Sequence, residues 1–573
     1  MREAVFREVY FGVCYDMEMT ENGKNDSCPA ELPNYCANRH WSIFWILILC
    51  STATLAGHLV TIKNHNARGE SSFFSANDRS RWSTIRALVE DGTYVIDRVI
   101  ERDQPIDWDT IDKVQHVGAD GKLHFYSSKP TLLPTLLAGI YQVVYSATNM
   151  TLSDHPVVVS RIILLIFNLT IWFAFLYFLA LTINAIPVRD WSRYFVLACG
   201  GFGTYLLTFS VSLNNHVPAA TCVMIATYLL MQIYRQESTS TIRSMACGIF
   251  SGLAASNELP ALAFLAIAGL ICFFRQPQKA LTGFLPGVIL VGIGFFGTNY
   301  LAHQDWKPAY AHRSDGNQIA TVSGDSIAAE LDTGKFPNRI AEKLGTLGIR
   351  FERPAVNLGQ WPTKKDESRR WVVRDEFSSQ QIALVQNSAE PETIQILAWN
   401  NWYDYAGSYW LSGNDDQKSF VDRGQQSKLT YAFHLLFGHH GIFSLTPIWL
   451  LSFTGGLIWL FGRQPQSSRF SMRWFAGMTL IVSIVVIGFY INRPAIDRNY
   501  GGVCCALRWL FWLAPLWLVS MLPVVDWLGK SKLGQTFCLV LLSVSVVSAF
   551  YAIGNPWSYP WLFEIWDWTG IQK

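Results

Sequence analysis

A helix needs about twenty consecutive apolar residues to cross roughly 30 Å of hydrocarbon, and this chain supplies such runs repeatedly. They occupy residues 42–60, 157–183, 193–213, 216–234, 280–300, 441–462, 473–491, 508–528 and 535–554. Inside lipid every backbone N–H and C=O must be satisfied within the segment, so runs of this kind are helices. A further apolar block at 245–274 is interrupted by Ser256-Asn257-Glu258-Leu259-Pro260. Its polar centre and its proline divide it into two short helices, as in a hairpin.

Composition agrees with this reading. Of 573 residues, 50% are hydrophobic and only 15% charged, against roughly 25% charged in soluble domains, which excludes an ordinary soluble enzyme. Lys+Arg 45 against Asp+Glu 43 leaves a net charge of +2. There is no basic field of the kind nucleic acid requires, so nucleic acid is excluded as a partner. Cys50, Cys199, Cys222, Cys247, Cys272 and Cys538 lie within apolar runs, where cysteine packs as a small hydrophobe.

Lys and Arg collect in cytoplasmic loops. The pairs Arg189/Arg193, Arg235/Arg243, Arg275/Lys279, Arg463/Arg469 and Lys530/Lys532 fall in alternate connections, which makes those connections cytoplasmic. The loop 61–130 is then external if the short run 132–145 lies at the interface or re-enters without crossing. The expected fold is an all-α polytopic membrane protein of about eleven transmembrane helices with extramembrane loops, N-terminus cytoplasmic. Its organisation is a polar extension 1–41, a transmembrane module 42–300 carrying the external loop 61–130, an external segment 301–430, a second module 431–554 and an external tail 555–573. One external connection defies the charge rule, because Arg493, Arg498 and Arg508 sit in or beside it.

In the first external loop, Asp78 opens a short amphipathic helix that stops at Gly92. It reads either as an N-cap or as a carboxylate able to take a proton at the membrane boundary. Lys129, in Tyr126-Ser127-Ser128-Lys129-Pro130, either snorkels from a helix end or meets a phosphate. Glu258 is expensive inside an apolar block unless paired, and marks a candidate internal site. Asp107-Trp108-Asp109 imitates a metal-binding D-x-D but reads better as a turn, and His434, His439 and His440 form a weak metal candidate. For Arg493 and Arg498 an ion pair with Asp497 or another exposed carboxylate is the simplest reading. Trp306, Trp361, Trp371, Trp399, Trp402 and Trp410 are spread through the external segment, as sugar-stacking rings or as packing.

Taken in order, Asp78-x-x-Arg81-Trp82, the helix end at Gly92 and Tyr126-x-x-Lys129-Pro130 resemble the first periplasmic loop of the GT-C superfamily, which includes aminoarabinose and protein O-mannosyl transferases. Asn214-Asn215-His216-x-Pro218 is similar to the second external loop, and Tyr500-Gly501-Gly502 to Arg508 is similar to a late Gly-rich segment. The family's Asp-Glu pair is here Asp78-Arg79, and asparagines replace the acidic residue of the second loop. The resemblance implies transfer of a sugar from a polyprenyl-phosphate donor to an acceptor on the external face, with inversion, within a bacterial inner membrane. It implies Asp78 as base, Lys129, Arg498 and Arg508 as phosphate partners, and Arg81, Tyr126, Asn214, Asn215, His216 and Tyr500 as substrate contacts. It assigns no cofactor and leaves a divalent metal open. The alternatives are a transporter or flippase of lipid-linked material, for which no repeated halves are visible, and a catalytically silent scaffold of the same fold.

Overall fold

The computed structural model describes residues 32–66, 69–101, 106–236, 240–324, 326–358, 369–378, 380–386, 390–410, 427–462, 471–495 and 498–570. Most of the polar extension, Trp361, Arg463, Arg469 and Asp497 lie outside the described residues. The chain divides into two units, Met1–Ile46 and Leu47–Lys573, and apart from the start of the first helix every element described below lies in the second.

The chain is mostly helical and belongs in a membrane. Helix α1 (Leu32–Thr61) is followed by the short α2 (Ala76–Arg86), α3 (Leu132–Thr148), α4 (Pro156–Asn184), α5 (Asp190–Phe202), α6 (Tyr205–Phe209), α7 (His216–Tyr234), α8 (Thr241–Asn257), α9 (Leu262–Arg275) and α10 (Leu285–His303). After an extramembrane segment come α11 (Ile327–Asp332), α12 (Asn338–Thr346), α13 (Lys428–Leu436), α14 (Trp449–Phe461), α15 (Arg473–Ile491), and the late helices Ala514–Ser520, Leu522–Leu528 and Lys532–Tyr551.

Among the described residues six helices are long and apolar enough to cross a membrane, and a seventh if the pair Arg508–Ser520 and Leu522–Leu528, bent by 44°, is one span. The expected count is higher because several apolar runs are broken. Run 193–213 splits into α5 and α6 at Gly203-Thr204, where Thr204 is extended. Run 441–462 enters α14 only at Trp449. The block 245–274 is two helices, α8 and α9, joined at the extended Glu258 and a 3-10 turn Leu259–Ala261, as its proline predicts. Helix α3 buries Leu133, Leu137, Tyr141 and Val144 on one stripe and exposes Leu136 and Val143.

Close helix contact needs small residues. A Cβ built on Gly248 of α8 would stand 2.1 Å from the Phe284 carbonyl oxygen, so α8 lies backbone to backbone against the turn Ala280–Phe284 that leads into α10.

The all-α expectation fails outside the membrane. Two hairpins pair β1 (Asn64–Asn66) with β2 (Gly69–Ser71) and β3 (Lys113–Val117) with β4 (Leu123–Ser127). Strands β5 (Gln318–Ser323), β6 (Pro354–Leu358), β7 (Arg369–Asp375), β8 (Gln381–Gln386) and β9 (Thr393–Ala398) form an antiparallel sheet in the order β5-β9-β8-β7-β6. Trp371 and Val373, Ile382 and Leu384, and Ile394 and Ile396 point to one face, where Ile327, Leu331, Ile340 and Leu344 of α11 and α12 cover them. That two-residue period is the strand period. Buried Arg370 reaches Asp315 with Nε at 2.8 Å and Nη2 at 2.7 Å and also pairs with Asp404, tying the sheet to the segments on either side of it.

Candidate active site

The described residues enclose a cavity of about 850 Å³, walled by the start of α2, the β3–β4 hairpin base, the first residues of α7, the α8–α9 junction, residues 310–313, 403 and 410, the end of α15, and residues 499–509.

Helix α2 starts with a reciprocal capping box. Ser75 is the N-cap, its Oγ accepts the Asp78 N–H at 3.2 Å, and Asp78 Oδ1 accepts the Ser75 N–H at 2.9 Å. Asp78 also accepts the backbone N–H of Arg79 at 2.7 Å and of Phe74 at 2.9 Å. The carboxylate is fully buried, and burial pushes its pKa up to about 6 against the pull of those bonds. Asp78 therefore stands at the third helical position, not at the N-cap, and outside the cavity wall; its neighbour Asn77 faces the cavity.

One turn on, Arg81 donates from Nη1 to the Asn77 carbonyl at 2.9 Å and to Asn77 Oδ1, and from Nη2 to Asn215 Oδ1 at 2.6 Å. Burial and then the nearby Arg508 lower its pKa to about 10, while Asp112, Glu258 and Asp78 act the other way. Asn215 passes the connection on, donating from Nδ2 to Glu258 Oε1 at 2.6 Å and to the Asn257 carbonyl at 2.8 Å.

His216 lies between Glu258, which its Nδ1 meets, and Arg508, whose Nη1 is 2.9 Å from Nε2. Guanidinium has no acceptor, so Nε2 must accept and Nδ1 must carry the proton that it donates to Glu258. Arg508 also donates from Nε to the Gly501 carbonyl at 2.9 Å, and its guanidinium lies 4.7 Å from the centre of the Trp557 ring. Gly501 has φ +98, and a Cβ there would stand 2.8 Å from Arg508 Nε; this turn suits glycine on both counts.

The β3–β4 hairpin brings Asp112 and Lys129 together across its base, Nζ to Oδ2 at 2.9 Å. Burial, and then Arg81 and Arg508, push Lys129 down to about 8, with Asp112 opposing them. The wall thus carries Arg81, Lys129, Arg313, Arg493 and Arg508 against Asp112 and Glu258. Such an excess of cations, with guanidinium forks among them, suits an anion with several oxygens.

Of the sequence-derived candidates, Lys129, Arg508, Arg81, Asn215 and His216 line this cavity; Asp78, Arg498, Tyr126, Asn214 and Tyr500 are buried beside it without lining it. Arg498 donates from Nε to the Arg493 carbonyl at 2.7 Å. Tyr126 stacks on His116 and Tyr500 on His440. Asn214 Oδ1 receives the N–H groups of His216 and Val217 at 2.9 and 3.0 Å, so it caps α7. Asp112, Arg313 and Trp557 were not anticipated, whereas Glu258, expected as a costly charge marking an internal site, lines the cavity.

Asp107 pairs with Arg79 at 3.3 Å and Asp109 with Lys113 at 2.5 Å, so both carboxylates of the D-x-D are engaged by cations. His434 stacks on His439, whose Nδ1 meets that of His440 at 2.5 Å. Among the described residues no group of three or more His, Cys, Asp or Glu could hold a metal ion. In the cavity Asp112 is taken by Lys129, and Glu258 by Asn215 and His216, an arrangement that does not fit a divalent metal.

No protein-family model matches the chain, and no curated protein matches it. Among solved structures the chain is similar in fold to the apo oligosaccharyltransferase of Archaeoglobus fulgidus, with TM-score 0.40 and 11% identity over 91% of this chain and 56% of that one. It is also similar to the S. cerevisiae protein O-mannosyltransferase Pmt1-Pmt2 complex bound to the sugar donor, with TM-score 0.42 and 11% identity over 92% of each chain. A third is the A. fulgidus oligosaccharyltransferase AglB in complex with an inhibitory peptide and a dolichol-phosphate, with TM-score 0.40 and 12% identity over 92% of this chain and 56% of that one. The chain spans little more than half the length of the archaeal proteins.

Proposed function

We propose that this chain is a membrane glycosyltransferase that takes its sugar from a polyprenyl-phosphate donor and delivers it to an acceptor on the external face of a bacterial inner membrane. One observation carries the reading: a cavity rich in cations opens onto an apolar rim. Leu259, Leu262, Val485 and Phe489 line the cavity and are each about half exposed. A ligand with a phosphate head and a hydrocarbon tail satisfies both parts at once.

In the proposed reaction the bond between the anomeric carbon and the phosphate oxygen breaks, and the phosphate leaves with the electron pair. Arg508, Lys129 and Arg81 stabilise the charge that develops there. The acceptor hydroxyl oxygen attacks the anomeric carbon from the opposite side, with inversion, and its proton passes to a carboxylate. Asp112 is the better candidate for that base than Asp78, whose oxygens accept three backbone N–H groups. Arg498 then supports Arg493 from behind, and Asn215 and His216 hold the two arginines apart. The broken runs at 193–213, 245–274, 441–462 and 508–528 complete about eleven crossings, with the N-terminus cytoplasmic and the sheet external.

A second reading has one observation in its favour: on the cavity wall α2 presents Asn77, an amide that cannot take a proton. A donor-binding scaffold without turnover would look the same there. Membranes containing the protein, supplied with radiolabelled polyprenyl-phosphate hexose or pentose, test the proposal. Release of polyprenyl phosphate with label in an acceptor, lost in Arg508→Ala, supports it. Donor binding without release leaves the scaffold, and no binding removes both.

A further inference from the structure

On the wall of the cavity beyond the donor cations stands a second cationic position. Arg313 follows the 3-10 turn Ala309–Ala311 and is held in register by a bridge to Asn401. Its guanidinium carbon is 4.9 Å from the centre of the Tyr403 ring and 5.6 Å from that of Trp410. Among the described residues its side chain has no carboxylate partner, and its Nε is buried without a hydrogen bond. The acids next to this corner in sequence are occupied, Asp315 and Asp404 by Arg370. Asp112, on the same cavity wall, is paired with Lys129.

Aromatic faces orient a guanidinium and attract it, but they leave its N–H donors unused. A carboxylate or phosphate matches that fork with two parallel bonds. The Trp410 ring is itself fixed, because its Nε1 donates to the Ile111 carbonyl at 2.8 Å, which places Trp410 beside the residue preceding Asp112. A flat ring next to a cation and a carboxylate is a surface for a sugar ring that carries a negative group.

We infer that Arg313, Tyr403 and Trp410 form the acceptor subsite, and that the acceptor is a sugar or glycolipid head bearing an anionic substituent, gripped by Arg313 while a hydroxyl faces Asp112. This inference rests on the glycosyltransferase reading for the word acceptor, but the recognition it describes can be measured without turnover. The full-length protein in phosphatidylcholine nanodiscs is saturated with farnesyl phosphate, which occupies the donor cations, and titrated calorimetrically with glucose, glucuronate and glucose 6-phosphate.

At least one charged sugar binds tenfold or more tightly than glucose, and which one does so distinguishes carboxylate from phosphate. Arg313→Gln removes the preference, and Arg313→Lys retains part of it. Trp410→Ala, which leaves the charge in place, weakens all three sugars together. Equal affinity for the three sugars in the wild type, or a preference that survives Arg313→Gln in protein with the wild-type melting temperature, overturns the inference. Failure of farnesyl phosphate to bind the wild type counts against the donor reading alone, since the sugar titrations can be run without it.

Discussion

Replacing Arg508 by lysine keeps the charge and removes the fork, and the surroundings of this side chain allow the consequence to be estimated. Arg508 Nε is committed to the Gly501 carbonyl at 2.9 Å and Nη1 to His216 Nε2 at 2.9 Å, with Trp557 beneath the guanidinium. These contacts leave one edge of the group to face the cavity. A lysine ammonium is a point donor and cannot hold the His216 acceptor, the Gly501 carbonyl and a phosphate together. One charge-assisted hydrogen bond is worth about 1.5–3 kcal/mol, so phosphate affinity in Arg508→Lys falls by roughly tenfold to a hundredfold. A surface ion pair, worth about 0–1 kcal/mol, cannot produce so large a loss. Farnesyl phosphate binding to the nanodisc-embedded protein measures it, with Arg508→Ala alongside to set the floor. If lysine supports wild-type affinity, Arg508 is an interfacial anchor and the phosphate site has been misplaced.

Lys129, with a pKa near 8, holds its charge below that value and loses it above, so farnesyl phosphate binding weakens as pH rises through about 8; Lys129→Arg abolishes that step in the same titration. Asp112→Asn stops donor turnover while leaving donor binding intact, as single-turnover release of polyprenyl phosphate reports; undiminished turnover would return the base to another carboxylate. For Asp78 the folded pKa near 6 lies above the usual carboxylate value of 3.8, so its contribution to stability is full below 3.8 and lost as pH rises through about 6. The melting temperature of the wild type therefore gains on that of Asp78→Asn between pH 7 and pH 4, and an unchanging gap contradicts the assigned burial. Gly248→Ala drives a methyl into the Phe284 carbonyl and costs about 1–3 kcal/mol or more, visible as a lower melting temperature.

The local chemistry of the site was legible where a residue broke a rule. Arg508 stood on the wrong side of a charge pattern and Glu258 sat in an apolar block, and both meet at His216. Arg498 broke the same rule yet points elsewhere, because position along the chain does not say which way a side chain leaves a turn. For Asp78 the decisive signal was present three residues earlier: Ser75 followed at that spacing by an acid is the capping-box pattern, and it claims the carboxylate for the backbone. The sheet was legible too, in the alternation of Trp371 with Val373 and of Ile382 with Leu384, but long apolar runs dominate a reading of this chain. Asp112 and Arg313 carried no local mark. They reach the cavity through a hairpin and a bridge to Asn401, contacts between residues far apart in sequence.

The half-exposed rim of Leu259, Leu262, Val485 and Phe489 has a consequence for how any tailed ligand is captured. Such a ligand is already dissolved in the bilayer, so its search is confined to two dimensions and its local concentration exceeds that in bulk water. Burial of the tail then contributes little to the difference between bound and free, since hydrocarbon surrounds it in both states. Discrimination falls to the head group, and modest affinity there suffices for occupancy. A tailless analogue, arriving from water, competes at a disadvantage that better head-group contacts would have to overcome.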